Sequence, residues 1–419
     1  MNLANWLQRL DSQQARVDFS ILKQIAEKLE LNTFTCPVVT VAGTNGKGSC
    51  VTLLAAIAKQ SELHVGHFIS PHLLHYNERI QVDGQPLDDA KICEAFQVIE
   101  QACGAHQLGY FQWTTLAALW LFKHANLDLL VLEVGLGGRF DPVNLIDPTL
   151  SIITNIDLDH IPILGNTREQ IALEKAGILR EETPVIYGDR EPTATLLQSI
   201  QEKQCPHYLW SRDFDYHVQE HEWAWHTKKQ RMAQLPHPMI SAHNAAMVLM
   251  AVDVLRQQGL MILPEAIQDG LRNAYVPARQ QVMVHSVCEH ILDVAHNLQS
   301  VASLVDCLKN RACSGKTLAV FGMMADKPVH ACLQRMAPHV DAWFFSSVPN
   351  TRTASAENCA AALPHAKTTC FDCITSAYQA ALAVAGPNDR LVVFGSFRTV
   401  EAVLLQSRLE LIEEVTDGN

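Results

Sequence analysis

The segment Val38-Val39-Thr40-Val41-Ala42-Gly43-Thr44-Asn45-Gly46-Lys47-Gly48-Ser49 constrains this chain more than any other. A β-branched run enters a glycine-rich turn holding one lysine, and an apolar helical segment, Cys50 to Ala58, follows. Strand, turn and helix in that order build a phosphate cradle. Glycines let backbone N–H groups face an anion, the helix N-terminus adds partial positive charge, and Lys47 reaches the outer phosphates. The common loop has four residues between its first glycine and the Gly-Lys pair. Here two residues separate Gly43 from Gly46, and the hydroxyl that usually meets magnesium comes one place later, at Ser49.

Around this turn, strand and helix patterns alternate. Buried-strand candidates are Val38–Ala42, Val65–Ile69, Leu129–Val134, Leu150–Asn155 and Pro184–Tyr187, with helices between them at Thr114–Lys123 and Glu169–Leu179. That alternation predicts an α/β fold, a parallel sheet covered by helices on both faces. Ser12 to Leu31 reads as one amphipathic helix, Tyr208 to His226 as an antiparallel hairpin, and Ala242–Gln257 and Pro264–Asn273 as two further helices. Pro277-Ala278-Arg279 is a candidate hinge. Beyond it a second alternating set begins, with strands near His290–Val294, Thr317–Gly322, Ala342–Ser346 and Leu391–Gly395. A length of 419 residues accommodates two α/β domains, expected at 1–277 and 278–419.

The net charge of −12 argues against a nucleic-acid surface, so a nucleotide enzyme of this composition must concentrate its cations where phosphates bind. No apolar run approaches the ~18 residues of a membrane span. Met1 to Leu10 lacks a signal pattern, and twelve cysteines are scattered without framework spacing. Reduced thiols in a cytoplasmic protein are the expectation. Cys370-Phe371-Asp372-Cys373 is a lone pair with apolar neighbours and reads as packing rather than as a zinc or redox site.

Polar clusters follow the strands, where ligands of such sheets bind. Glu133 closes the run Leu129–Val134 beside a second glycine-rich turn, Gly135-Leu136-Gly137-Gly138-Arg139-Phe140-Asp141, and suits a magnesium ligand next to phosphate. Asp159-His160 follows the run ending at Asn155, and Ser70-Pro71-His72 follows Val65–Ile69. His160 and the Ser70 hydroxyl are therefore further ligand candidates, and Ser-Pro suits a tight turn, cis or trans. Glu174-Lys175-Ala176-Gly177 ends a helix, where a lysine on its own reads as solvated. In the second set, Asp293-Val294-Ala295-His296-Asn297 and Asp326-Lys327 again follow strands; with Arg279 they supply a second polar face and cations for developing charge.

Taken together, the chain resembles the folylpolyglutamate synthase and dihydrofolate synthase family, a branch of the Mur-type amide ligases. The segments carrying the resemblance are 43–49, Ser-Pro-His-Leu at 70–73, Asn-Glu-Arg-Ile at 77–80 and Leu-Glu-Val-Gly-Leu-Gly-Gly-Arg at 132–139. Asp-His at 159–160, Glu-Lys-Ala-Gly at 174–177, Asp-Val-Ala-His-Asn at 293–297 and Gly-Ser-Phe at 395–397 complete them. Length and the sequence around Gly109–Phe122 most resemble the bacterial bifunctional enzymes. The resemblance implies a P-loop-containing Mur-ligase-like N-terminal domain with a parallel sheet, and a smaller Rossmann-like C-terminal domain.

It also implies roles. Gly43, Thr44, Asn45, Gly46, Lys47, Gly48 and Ser49 would hold ATP phosphates, with Asn244, Arg279 and Asp293 as further ATP contacts and His296 nearby. Ser70, Glu133 and His160 would hold magnesium. Lys175 would be carbamylated and hold a second magnesium, and a potassium ion is a further candidate cofactor. Tyr110, Phe111, Gln112, Phe140 and Asp141 would line the pterin site, with Asp18 beneath it. Departures from the family pattern are Gln112 in place of Glu, Ala278 in a Pro-Gly-Arg segment, and Ser20 and Lys23 where Gly and Arg are common.

The implied reaction is ATP-dependent ligation of L-glutamate to 7,8-dihydropteroate and to the γ-carboxyl of reduced folates, through an acyl phosphate, by a monomer. The sequence leaves the acceptor of the amine proton open between His296 and an oxygen ligand of the metal. A cell-wall ligase acting on a UDP-sugar peptide is the nearest rival, but the 42 residues before Gly43 set the expectation against a UDP-binding domain. A GTPase-type switch would need a base-reading Asn-Lys-x-Asp segment, which the sequence lacks. An inactive scaffold is disfavoured by the presence of Lys47, Glu133, His160 and Lys175 together.

Overall fold

The computed structural model describes residues 1–12, 17–218, 223–238, 240–284, 286–347 and 353–406, and the backbone of 410–411. It divides into two compact units, Met1–Val276 and Pro277–Asn419.

The first unit begins with α1 (Leu3–Asp11), α2 (Phe19–Lys28), β1 (Val38–Ala42), α3 (Lys47–Gln60), β2 (Val65–Phe68), β3 (Ile80–Val82) and β4 (Gln85–Pro86). It continues with α4 (Asp89–Cys103), α5 (Tyr110–Lys123), β5 (Leu129–Glu133), β6 (Leu150–Ile153), α6 (Ile161–Leu164), α7 (Arg168–Lys175), β7 (Val185–Tyr187), α8 (Ala194–Glu202) and β8 (His207–Leu209). Strands β9 (Phe214–Val218), β10 (Trp223–Thr227) and β11 (Arg231–Leu235) precede α9 (Ala242–Gln257) and α10 (Pro264–Asn273).

The main sheet runs β4-β3-β2-β5-β1-β6-β7-β8, parallel from β2 to β8 and antiparallel at the β3 and β4 edge. Every residue of β1 and β5 is buried, because both faces of the sheet are covered. Successive side chains serve opposite sides. Val39, Val41, Leu129 and Val131 join one core with α3, α9 and α10; Val38, Leu130 and Leu132 join the other with α1, α2, α4 and α5. Full burial of each such side chain is worth about 1.5–3 kcal/mol, so the central strands and the turns at their ends are firmly held.

Three local expectations are corrected. Of the helix expected over 12–31, the described residues form α2 alone: Ser12 closes α1, which precedes it, and Asp18, extended at φ −63° and ψ 155°, starts α2. The helix expected to reach Leu179 ends at Lys175 and tightens into a 3-10 turn over Ala176–Ile178. Tyr208 belongs to β8 of the main sheet, and the hairpin is the β9–β10 part of a three-stranded sheet, β11-β10-β9. That small sheet lies on α9, where the Trp225 Nε1–H donates to the Ala246 carbonyl at 3.0 Å.

The second unit comprises β12 (Gln281–Val284), β13 (Glu289–Leu292), α11 (Leu298–Asn310), β14 (Thr317–Phe321), α12 (Val329–Met336), β15 (Ala342–Ser346), α13 (Ala356–Ala361) and β16 (Thr368–Phe371). It ends with α14 (Ile374–Val384), β17 (Arg390–Phe394), α15 (Phe397–Gln406) and β18 (Glu410–Leu411). Its sheet runs β16-β15-β14-β17-β13-β12-β18, parallel from β16 to β13 and antiparallel at β12 and β18. All twelve cysteines are free. Cys370, expected to pack, is exposed on edge strand β16.

Candidate active site

The loop Gly43–Gly46 leaves β1 and α3 begins at Lys47, with Gly46 in the left-handed region at φ 83°. Its neighbours in the sheet are β5 and β6. From the end of β6, Asn155 Oδ1 accepts the N–H groups of Thr44 (3.2 Å) and Asn45 (2.9 Å), and Thr154 Oγ1 donates to the Asn45 carbonyl at 2.6 Å. The cradle is thus braced from outside by two residues the sequence reading passed over. Their place at the end of a buried strand beside the loop was the available signal. A Cβ at Gly43 would fall 1.8 Å from Thr154 Oγ1, and one at Gly46 would fall 2.6 Å from Asn244 Oδ1. Asn244, in the first turn of α9, therefore stands directly on the loop.

Two lysines converge here. Lys47 Nζ donates back to the carbonyls of Gly43 (3.1 Å) and Thr44 (3.3 Å), and Lys175 Nζ donates to the same Gly43 carbonyl at 2.7 Å. Lys175 is only 3% exposed, which overturns its reading as a solvated helix-end lysine. Burial, reinforced by Lys47, lowers its pKa to about 7. Two glycines make that burial possible. A Cβ at Gly138 would sit 2.8 Å from the Glu174 carbonyl, and one at Gly177 would sit 2.4 Å from Arg139 Cα. The turn after β5 and the end of α7 close on each other backbone to backbone.

Glu133, at the end of β5, is buried and accepts the Ser70 N–H on Oε2 at 2.8 Å. A Cβ at Gly48 would be 3.3 Å from the same oxygen, so this carboxylate lies against the first turn of α3. Ser70 precedes Pro71 through a cis peptide bond. His160 is exposed at the N-cap of α6. Among the described residues no group of three or more His, Cys, Asp or Glu is arranged to hold a metal ion. One carboxylate and one serine beside a phosphate loop suit magnesium, which keeps waters and takes phosphate oxygens as its remaining ligands.

Helix α5 begins with a cluster of aromatic side chains. Tyr110 meets Tyr76 edge-on at 6.3 Å, and the buried Arg79 guanidinium lies 5.6 Å from the Tyr110 ring. Arg79 Nε donates to His72 Nδ1 at 2.7 Å, and burial with that neighbouring cation lowers the His72 pKa to about 4. The Phe111 ring fills the space a Gly135 side chain would need. Gln112 bonds to the backbone of Val17 and Gly109. Phe140 is 68% exposed and meets Phe19 edge-on at 6.4 Å, beside an exposed Asp18. Asp141 is buried and spends both oxygens on the turn: Oδ2 accepts from Leu136 N–H and Oδ1 from Val143 N–H, each at 2.9 Å. Burial pushes its pKa up to about 7.

In the second unit, Asp293 follows β13. Its Oδ1 accepts from Ala295 N–H at 2.7 Å and its Oδ2 from Gln280 N–H at 3.0 Å. Burial raises its pKa to about 6 against the opposing pull of Arg279. His296 Nδ1 lies 2.8 Å from the Val294 carbonyl oxygen, the geometry in which Nδ1 carries the proton and Nε2 is left as an acceptor. Arg279 lies over the Phe397 ring at 5.0 Å. Ala278, at the family's glycine position, is buried in the left-handed region at φ 54°.

Comparison with known proteins agrees with this architecture. Residues 41–255 match the Mur ligase middle domain, and residues 278–397 match the Mur ligase glutamate ligase domain. The chain is 38% identical over 405 residues to the dihydrofolate synthase/folylpolyglutamate synthase of Escherichia coli, covering 96% of this chain and 94% of that protein. The enzyme of the same name from Haemophilus influenzae is 37% identical, covering 95% and 96%. The solved structure of E. coli FolC in complex with DHPP and ADP superposes with a TM-score of 0.92 over 97% of each chain, at 38% identity. A Yersinia pestis bifunctional folylpolyglutamate synthase/dihydrofolate synthase complexed with AMPPNP and Mn ion superposes with a TM-score of 0.90 over 97% and 98%, at 37% identity. This chain therefore belongs to the dihydrofolate synthase/folylpolyglutamate synthase family of Mur ligases.

Proposed function

We propose that this protein is an ATP-dependent amide ligase that joins L-glutamate to 7,8-dihydropteroate and to the γ-carboxyl of reduced folates. The observation that carries this reading is the meeting of the phosphate loop, the Glu133–Ser70 pair and the buried Lys175 at one end of one parallel sheet. The acceptor carboxylate attacks the γ-phosphate and expels ADP, and the glutamate amine then attacks the acyl phosphate that results, losing a proton and releasing inorganic phosphate. Lys47 and the loop N–H groups hold the phosphates and spread the charge of the transferring group. Asn244, Arg279 and Asp293 are the further nucleotide contacts. Glu133, Ser70 and His160 would hold magnesium, which would neutralise phosphate charge when bound. Carbamylation of Lys175 would make it an oxygen ligand for a second ion, and its lowered pKa supports this, because only a neutral amine adds to carbon dioxide. The acceptor pocket is walled by Tyr110, Phe111, Phe140, Asp141 and Asp18, with Gln112 behind them on the backbone of Val17 and Gly109. The Nε2 of His296 suits acceptance of the amine proton.

The protein is further proposed to act as a cytoplasmic monomer, in keeping with its free thiols; no described helix is long and apolar enough to cross a membrane. The test is magnesium-dependent phosphate release from ATP with L-glutamate, supplied with dihydropteroate or with tetrahydrofolate. Release with both, and products heavier by one glutamate, is expected. Release with neither would refute the assignment.

A further inference from the structure

The Gln112 side chain makes three hydrogen bonds to backbone. Its Oε1 accepts from Val17 N–H at 3.1 Å and from Gly109 N–H at 2.9 Å, while its Nε2 donates to the Val17 carbonyl at 2.8 Å. Two donors on one side and an acceptor on the other fix the amide orientation. The contact spans 95 positions of sequence and joins the first turn of α5 to the residue before Asp18. Asp18 is the extended N-cap of α2 and makes no side-chain capping bond. Phe19 follows, with its ring against the exposed Phe140. Gln112 therefore holds the strand of backbone that presents an uncommitted carboxylate and an aromatic edge beside the turn after β5.

We propose that Gln112 is a positioning residue for the acceptor pocket. It tethers Val17 and so sets where Asp18 and Phe19 stand, rather than touching the acceptor itself. This rests on the acceptor-pocket assignment made above. Glutamate, the family's common residue here, would keep both accepted bonds, whereas alanine removes all three.

Two measurements on the full chain test it. In the first, KM for dihydropteroate and for ATP is determined for wild type, Q112A, D18A and the double variant. Q112A is expected to raise the dihydropteroate KM by about fivefold to thirtyfold and to leave the ATP KM within about twofold. In the D18A background the Q112A effect should shrink to less than about twofold, since both changes act through one group. An equal Q112A effect in both backgrounds, or a parallel rise in the ATP KM, overturns the proposal. In the second, amide hydrogen exchange is followed in the peptide containing residues 17–19, which needs no substrate. Faster exchange in Q112A than in wild type is expected; equal exchange overturns the proposal. A wild-type enzyme that uses no pterin acid, yet loses protection in Q112A, would refute the substrate assignment while leaving the tether in place.

Discussion

Replacing Lys175 by methionine should make the protein more stable at neutral pH and inactive. Methionine keeps the unbranched length but carries no charge into the site. Burial and Lys47 lower the lysine pKa from 10.5 to about 7. At about 1.36 kcal/mol per unit this is about 5 kcal/mol for the fully protonated form, and about 4 kcal/mol at pH 7, where half the buried amine is already neutral. The sign follows from proton binding. Between pH 7 and 10.5 the unfolded chain binds more protons at this residue than the folded one, so wild-type stability rises with pH across that window and the penalty is complete below it. Methionine escapes the penalty but loses the bond to the Gly43 carbonyl, worth about 1 kcal/mol. That oxygen still accepts from Lys47 Nζ. The expected net gain is about 2–3 kcal/mol at pH 7, vanishing toward pH 10. Urea unfolding of metal-free, nucleotide-free protein in carbon-dioxide-free buffer, repeated from pH 6.5 to 10, measures it. A variant less stable than wild type at pH 7, or a difference flat with pH, refutes the reasoning. Phosphate release should fall by at least about 100-fold in the same variant, since the group that costs stability is the one the reaction needs.

Three other outcomes follow from the same geometry. Gly43→Ala places a side chain at φ 148° and 1.8 Å from Thr154 Oγ1; it should weaken nucleotide binding at least about tenfold by calorimetry and cost about 2 kcal/mol of stability. Glu133→Gln keeps an oxygen for the Ser70 N–H but loses the charge; the magnesium concentration for half-maximal activity should rise at least about tenfold, with the urea midpoint little changed. Ala278→Gly relieves a non-glycine residue at φ 54°; a gain of about 0.5–1 kcal/mol in urea unfolding is expected.

The central strands were legible because each is buried on both faces, so its sequence is a continuous apolar run: Val38–Ala42 and Ala342–Ser346 were read with the bounds they have. Edge strands carry no such pattern. Arg231–Leu235 buries only Leu235, and Thr368–Phe371 buries no residue, so neither was anticipated. Helices α9 and α10 were legible from their apolar spacing. The phosphate loop was legible because its chemistry is local. The state of Lys175 was not, because it depends on Gly138 and Gly177 letting two segments far apart in sequence touch backbone to backbone. Asn155 escaped for a related reason, and Gln112 was named only through the family resemblance, without its tether to Val17: an amide that braces distant backbone has no spacing signature.

The convergence of Lys47 and Lys175 on one carbonyl oxygen has a consequence for nucleotide binding. Lys47 is the second-largest cause of the lowered Lys175 pKa, after burial. Its own bonds are to carbonyls three and four residues back, and phosphate oxygens can replace them. A polyphosphate in the loop offsets the Lys47 charge and adds negative potential, so the Lys175 pKa must rise. A rise of one unit from about 7 would make the protein take up about half a proton at pH 7.5 when nucleotide binds. Calorimetric titration of metal-free protein with ADP, in two buffers of different ionisation enthalpy, reads that uptake directly. The K175M variant, titrated in parallel, corrects for protons exchanged by the nucleotide itself. Equal proton uptake by wild type and K175M would show that the two lysines are not coupled through the phosphate site; an excess near half a proton in wild type alone would show that nucleotide binding and the charge of Lys175 are one equilibrium.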